Sequence, residues 1–375
     1  MSPSSPSSAL TNVPQETLDV IMGYASDHLK VLSLVNSFFR DTSDLHQFKS
    51  VTANSLCDLG AWLALLEARP SVAHTVRDVT ITGDSTGDDG YFMTAEEFLT
   101  QLPCVRCVQL LVYDLDFSSL SKQPLSTVRH LRIHNGVVSN IWMDLPIAFP
   151  FLNSLNIIDY VAPRHRRNFS YCGQQRVGGH YMQHICLESN DQNLVKDCLQ
   201  ALANVDWYCR VTVLEIRSIS NVVEMVGESY PAVISRMESL ALTSTDYLTS
   251  SPSIRLPSSL LDLVDLTINC ADDDVQLMQT VFSIEQCPAL THLNVICCLR
   301  QESCPVHQWI SIAKRLLSDK FPGFKELRIL LYPSPMLSPY GDMKLMRSLL
   351  LDILTSDQNK FSVFIRVGMG LNDAM

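Results

Sequence analysis

The sequence predicts an α/β chain of parallel strands stacked in chain order, each returning to the next through a helix on one side, so that the array curves. Three observations carry this prediction. A short phrase, apolar-x-apolar followed by a polar stop, recurs ten times after residue 70. Amphipathic helical patterns separate the copies, and alternation of strand and helix at this spacing implies parallel pairing through crossovers. The first fifty residues lack the phrase and are helical in pattern instead.

At the N-terminus, M-S-P-S-S-P-S-S is a polar tail with neither a basic stretch nor an apolar core, so residues 1–10 read as disordered and not as a signal peptide. From Asn12 the chain runs N-V-P-Q-E-T-L-D-V-I-M-G-Y-A. Leu18, Ile21, Met22 and Ala25 fall at i, i+3, i+4 and i+7, one stripe of a helix. Asn12 is a candidate N-cap, Pro14 suits the first turn, and Glu16 and Asp19 sit near the positive end of the dipole. A second segment, L-K-V-L-S-L-V-N-S-F-F-R, is apolar on nearly all sides and needs more than one neighbour to bury it.

The residues V-P-Q-E-T-L-D-V-I, then L-S-L-V-N-S-F-F-R-D and D-L-H-Q-F, resemble a fungal-type F-box. That family's motif opens Leu-Pro-x-Glu-Leu-Leu and later has Leu-Val-x-x-x-Trp-Arg. Here Val13 replaces the first Leu, Phe39 replaces the Trp, and the link over residues 23–30 is short. The resemblance covers residues 11–50 and implies that Pro14, Leu18, Ile21, Leu34, Val35 and Phe39 dock a Skp-type adaptor, and through it a cullin. The alternative is a helical cap over a repeat core, which also needs a broad apolar face.

The phrases follow in order: V-R-D-V-T-I-T-G-D (76–84), V-R-C-V-Q-L-L-V-Y (105–113), V-R-H-L-R-I-H-N-G (128–136), L-N-S-L-N-I-I-D (152–159), a weaker Y-M-Q-H-I-C-L-E (181–188), V-T-V-L-E-I-R-S (211–218), M-E-S-L-A-L-T-S (237–244), L-V-D-L-T-I-N-C (263–270), L-T-H-L-N-V-I-C (290–297) and F-K-E-L-R-I-L-L (324–331). Their first inward residues are 79, 108, 131, 155, 185, 214, 240, 266, 293 and 327, a period near 27 with irregular insertions. Residues 361–370 read as a closing strand. Between phrases, residues 55–68 place Leu56, Leu59, Leu63 and Leu66 on one side, and Thr94-x-x-Glu97 reads as a capping box opening a helix over 95–102. Asn190 precedes Leu194, Cys198 and Leu202, and further helical patterns cover residues 275–284, the stretch from Pro305 through Trp309, Ile312 and Leu316, and Leu345, Leu349 and Ile353.

The set resembles leucine-rich repeats of the longer, irregular kind. The resemblance implies residues 51–375 as a solenoid with parallel strands on its concave side and helices on its convex side. A doubly wound sheet, with helices on both faces, is the competing architecture.

The 375 residues are 46% hydrophobic and 18% charged, and the net charge of −11 argues against nucleic acid held through bulk charge. No apolar run reaches the roughly 18 residues that cross a bilayer, so no membrane partner is expected and the location reads as intracellular, cytoplasmic or nuclear. The twelve cysteines then read as thiols, with Cys107, Cys186, Cys198, Cys270 and Cys297 as small buried hydrophobes.

Residues flanking the inward positions line the concave face: His130, Arg132 and His134 in one row, then Glu215, Arg217, Thr267, Asn269, Asn294 and Arg328. They mix charge and polarity, as a surface for a target protein would. His130 and His134 lie roughly 13 Å apart on a strand, too far to share a metal, and His180 and His184 lack the Glu of a metalloprotease pair. Cys104-x-x-Cys107 lacks a second pair for zinc and a helix N-terminus for a thiolate. The basic cluster Arg164, Arg166 and Arg167, in the insertion 162–179, suits a phosphate or an acidic peptide, or is a solvated loop. With no phosphate loop, dinucleotide fingerprint or nucleophile elbow, no enzyme and no cofactor are expected.

Overall fold

The structure, a computed structural model, describes residues 17, 20, 24, 28, 43, 46–83, 89–111, 114–115, 117, 120–134, 137–138, 141–158, 181–204, 208–244, 254–271, 280–281, 283–299, 311–312, 314–316, 318–333, 348 and 362–367. Among the described residues, fourteen strands run in chain order: β1 Ser50–Ala53, β2 Asp78–Thr82, β3 Cys107–Leu111, β4 Asp114–Leu115, β5 His130–His134, β6 Val137–Val138, β7 Ser154–Ile158, β8 His184–Glu188, β9 Val213–Ser218, β10 Ser239–Ser244, β11 Asp265–Ala271, β12 His292–Leu299, β13 Glu326–Pro333 and β14 Ser362–Val367. The α-helices described along their length are α1 Leu56–Ala68, α2 Asp89–Thr100, α3 Ile141–Ala148, α4 Gln192–Asn204, α5 Ser220–Ser229 and α6 Pro231–Ile234. Twelve of the strands form one sheet in unbroken chain order, every neighbour parallel, while β4 and β6 pair separately.

The register follows the predicted anchors residue for residue. Val79, Val108, Leu131, Leu155, Ile185, Leu214, Leu240, Leu266, Leu293 and Leu327 are aligned across the sheet, with Val51 added before them and Val363 after. On the first eleven of these strands the anchor and the residue two beyond it are at most 2% exposed. The residue between them is half-buried or exposed on each of these strands but β8, where Cys186 is buried. One face of the sheet is therefore dry and the other open. Topology gives the reason: every crossover steps in the same direction, and right-handed crossovers then put all helices on one side. A doubly wound sheet would bury both faces, so the alternation excludes it.

A backbone ladder locks the register. Two residues before each anchor, one carbonyl accepts two N–H groups from the next strand. Lys49 O accepts from Arg77 and Asp78, Arg77 O from Arg106 and Cys107, Arg106 O from Arg129 and His130, and the pattern continues to Thr291 O with Lys325 and Glu326.

The helices depart from expectation in instructive ways. Ser55 caps α1 by accepting from Asp58 N at 3.1 Å, but Leu56 is 42% exposed and only Leu59 and Leu66 of the predicted stripe are buried. Thr94 lies inside α2 and opens nothing, because the backbone is already helical from Asp89. α4 buries Leu194, Cys198 and Leu202 as predicted. Residues 280–281 and 283, and 311–312 and 314–316, are helical within two further predicted helices, with Ile312 and Leu316 buried. Trp309, Leu345, Leu349 and Ile353 lie outside the described residues.

α3 was not foreseen, because its sequence I-W-M-D-L-P-I-A carries Pro146 in its interior. Proline has no N–H to give the carbonyl four residues back, which is that of Trp142. The Tyr208 hydroxyl supplies the missing donor, reaching Trp142 O at 2.8 Å, with its ring 6.0 Å from the indole and fully buried.

Candidate recognition surface

The open face presents three rows of side chains, from the residues one before, one after and three after each anchor. His130, Arg132 and His134 stand in all three rows of β5, as predicted, and His134 Nε2 meets Gln109 Nε2 at 3.3 Å. His130 and His134 are four residues apart on one strand and do not converge. Among the described residues, no group of three or more His, Cys, Asp or Glu is placed to hold a metal ion.

The middle of the face carries the densest charge. His184 Nε2 lies 3.4 Å from Glu215 Oε1 across the β8–β9 step, a contact without good hydrogen-bond alignment. Arg217 bridges two carboxylates, 3.6 Å from Glu188 and 3.7 Å from Glu215, and Ser154 Oγ meets His184 Nδ1 at 3.2 Å. His184, with Arg217 beside it, holds the Glu215 carboxyl below the ordinary carboxylate range despite partial burial. The Cys186 thiol, between them, is pushed up to about 12 by burial and then by Glu215. It is a neutral thiol at physiological pH, not a nucleophile.

Further along, Asn294 donates to Thr267 Oγ1 at 3.1 Å and His292 Nδ1 lies 2.7 Å from Asp265. Arg328 pairs with Glu326 on its own strand. Asn269 aligns with Ile296 three residues beyond its anchor, in the third row. Sequence reasoning placed Glu215, Arg217, Asn294 and Arg328 on this face but missed His184 and Glu188, which hold the first two, and the Asp265–His292 pair. The signal was the anchor register itself, which places those four in the same rows. Cys107, expected as a buried hydrophobe, is half-buried in the first row, its thiol raised to about 11 by burial and then by Asp78. Cys198 is fully buried and its thiol pushed strongly up by desolvation. The side chains of Cys270 and Cys297 lie outside the described residues, as do Arg164, Arg166 and Arg167.

The proposed docking residues Pro14, Leu18, Ile21, Leu34, Val35 and Phe39 also lie outside the described residues. Near them Thr17, Val20 and Tyr24 are helical and exposed, Val20 by 59% and Tyr24 by 90%. No helix among the described residues is long and apolar enough to cross a membrane. No family model matches the chain, and no curated protein matches it significantly.

Proposed function

We propose that this chain is a recognition subunit that holds a target protein on the open sheet face and a Skp-type adaptor through residues 11–50, as the substrate receptor of a Skp–cullin–F-box ubiquitin ligase. The open face is the observation that carries the recognition half. A parallel sheet covered on one side only leaves three rows, mostly polar with apolar members such as Leu111, Ile158 and Val213, across consecutive strands spaced ~4.8 Å apart, a wide and preformed surface. In this reading the sheet is the concave layer of a leucine-rich-repeat-like solenoid and the helices are its convex layer.

The adaptor half rests on the F-box resemblance of residues 11–50. Helical backbone at Thr17, Val20 and Tyr24 supports it, because the sequence pattern centres the apolar stripe of Leu18, Ile21, Met22 and Ala25 about 120° round the helix from these three. The chain's contribution is positional: it raises the effective concentration of the target beside a charged ubiquitin-conjugating enzyme.

The test is co-purification of the full chain with a Skp adaptor, beside the Leu18→Asp and Val35→Asp variants. Truncation is a poor control, since Phe48 belongs to the core and Ser50 opens the first strand. Capture by the parent chain, lost in both variants with an unchanged unfolding midpoint, supports the reading. No capture by the parent chain makes the helices a cap and the chain a repeat scaffold.

A further inference from the structure

A groove of about 820 Å³ lies at the N-terminal edge of the sheet, lined by the starts of β1, β2, β3, β5 and β7 and by the turns at Pro103, Cys104 and Thr127. Its walls carry Lys49, Arg77, Arg106 and Arg129 against the single carboxylate of Asp78. A local excess of three positive charges in a chain of net charge −11 is a departure from its surroundings. The origin is the repeat itself. The four cations occupy the same register position, two residues before the anchors Val51, Val79, Val108 and Leu131, on four adjacent strands. The phrase V-R recurs at Val76–Arg77, Val105–Arg106 and Val128–Arg129, so the row is written in the sequence.

Two of the guanidinium groups are held in place by the fold. Arg77 NH1 donates to His74 O at 2.7 Å and Val76 O at 3.2 Å. Arg129 repeats the arrangement on Ser126 O at 2.8 Å and Val128 O at 3.2 Å, and lies 5.2 Å over the Phe151 ring. Each guanidinium carries further donors beyond those bonds. Fixing the head groups in the unbound protein lowers the ordering cost of binding an anion. Lys49 and Arg106, between and beside them, are exposed.

We propose that this groove binds an extended polypeptide segment dense in carboxylates. The spacing favours it: four cations on consecutive strands ~4.8 Å apart span about 14 Å, which an extended chain covers in roughly four to five residues. The cations stand at one register position on four successive strands, a line of backbone sites that suits charge distributed along a segment better than one phosphate. No Phe, Tyr or Trp ring is among the lining residues, so a single-stranded nucleic acid would find no stacking platform beyond the His130 imidazole. The site does not depend on the adaptor reading, because it is tested with the peptide and this chain alone.

The experiment measures fluorescence anisotropy of a labelled peptide of consecutive glutamates, flanked by glycine and serine, with the full-length protein. The glutamine counterpart and an oligothymidine of equal charge are the competitors. Two doubly substituted proteins receive the same change in net charge: Lys49→Glu/Arg106→Glu in the groove, and Lys325→Glu/Arg366→Glu at the far end of the sheet. All four side chains are exposed. The expected result is binding of the glutamate peptide alone, weakened by about tenfold or more in the groove variant and by less than about twofold in the distant one. Equal loss in both variants, loss in neither, or tighter binding of the oligonucleotide or the glutamine peptide would overturn the proposal. Matching thermal midpoints for the variants establish that lost binding is not lost folding.

Discussion

Glu215 releases its proton more readily than an ordinary glutamate because His184 faces it, with Arg217 alongside. The depressed value fixes the sign of its linkage to stability. The contribution is fully present above the pKa of the unfolded chain, about 4.3, and is lost as pH falls through the lower folded value. Its side chain is 30% exposed, so screening limits the pair to about 1 kcal/mol or less. Glu215→Gln should therefore lower the urea midpoint slightly at pH 7, by a difference that shrinks as pH falls below about 4, and midpoints measured through that range check it. A second residue-scale contrast involves two glycines. A Cβ at Gly323 would meet Pro288 O at 2.8 Å, a backbone atom that cannot turn aside, whereas nothing lies within 4 Å of one at Gly60 in α1. Gly323→Ala should cost about 1–3 kcal/mol, and Gly60→Ala should add about 0.5–1 kcal/mol by removing helix-weakening freedom, both read from urea unfolding.

At the scale of elements, α3 shows how a tertiary contact overrides a local rule. Pro146 should end a helix, and Tyr208, sixty-six residues from Trp142 in sequence, replaces the donor that proline lacks. Tyr208→Phe should then orphan the buried Trp142 carbonyl and cost about 1–3 kcal/mol. In a Pro146→Ala background the restored N–H should reduce that cost, so a double-mutant cycle of urea unfolding energies measures the substitution of one donor for the other. Additive costs would mean that the hydroxyl acts elsewhere. The same logic explains what was legible. The ten anchors could be read because each buries one residue in two against the helices, a pattern local to its own strand. β1 was missed because Ser50–Ala53 is four residues with small side chains, and its identity comes from pairing with β2. Thr94 misled because a capping box has meaning only at a helix start, and the start lies earlier. The cationic row was visible as repeated V-R pairs, but its significance needs the strands set side by side.

For the whole molecule, the unbroken strand order makes stability a matter of neighbours. β10 hydrogen-bonds to β9 and β11 and to no other strand, and the paired N–H bonds of Glu238 and Ser239 to Thr212 O are repeated at each step from β1 to β13. In such an array the free energy is approximately a sum of unit and nearest-neighbour terms, so damage spreads with distance and does not act everywhere at once. Leu240 is the anchor of β10 and is fully buried. Leu240→Ala should cost about 2–4 kcal/mol through the lost transfer energy and the cavity left behind. Hydrogen exchange monitored by mass spectrometry should then show faster opening in β9, β10 and β11 while β2 and β3, six and five strands removed in the sheet, keep the protection they have in the parent protein. Equal acceleration in β2 and β10 would mean that the twelve strands open as one cooperative unit. In that case the groove at the first strands and the charged centre at β8 and β9 could not be loosened separately. With local opening, a segment bound along Lys49, Arg77, Arg106 and Arg129 would protect β1 to β5 and leave β10 to β13 exchanging as before.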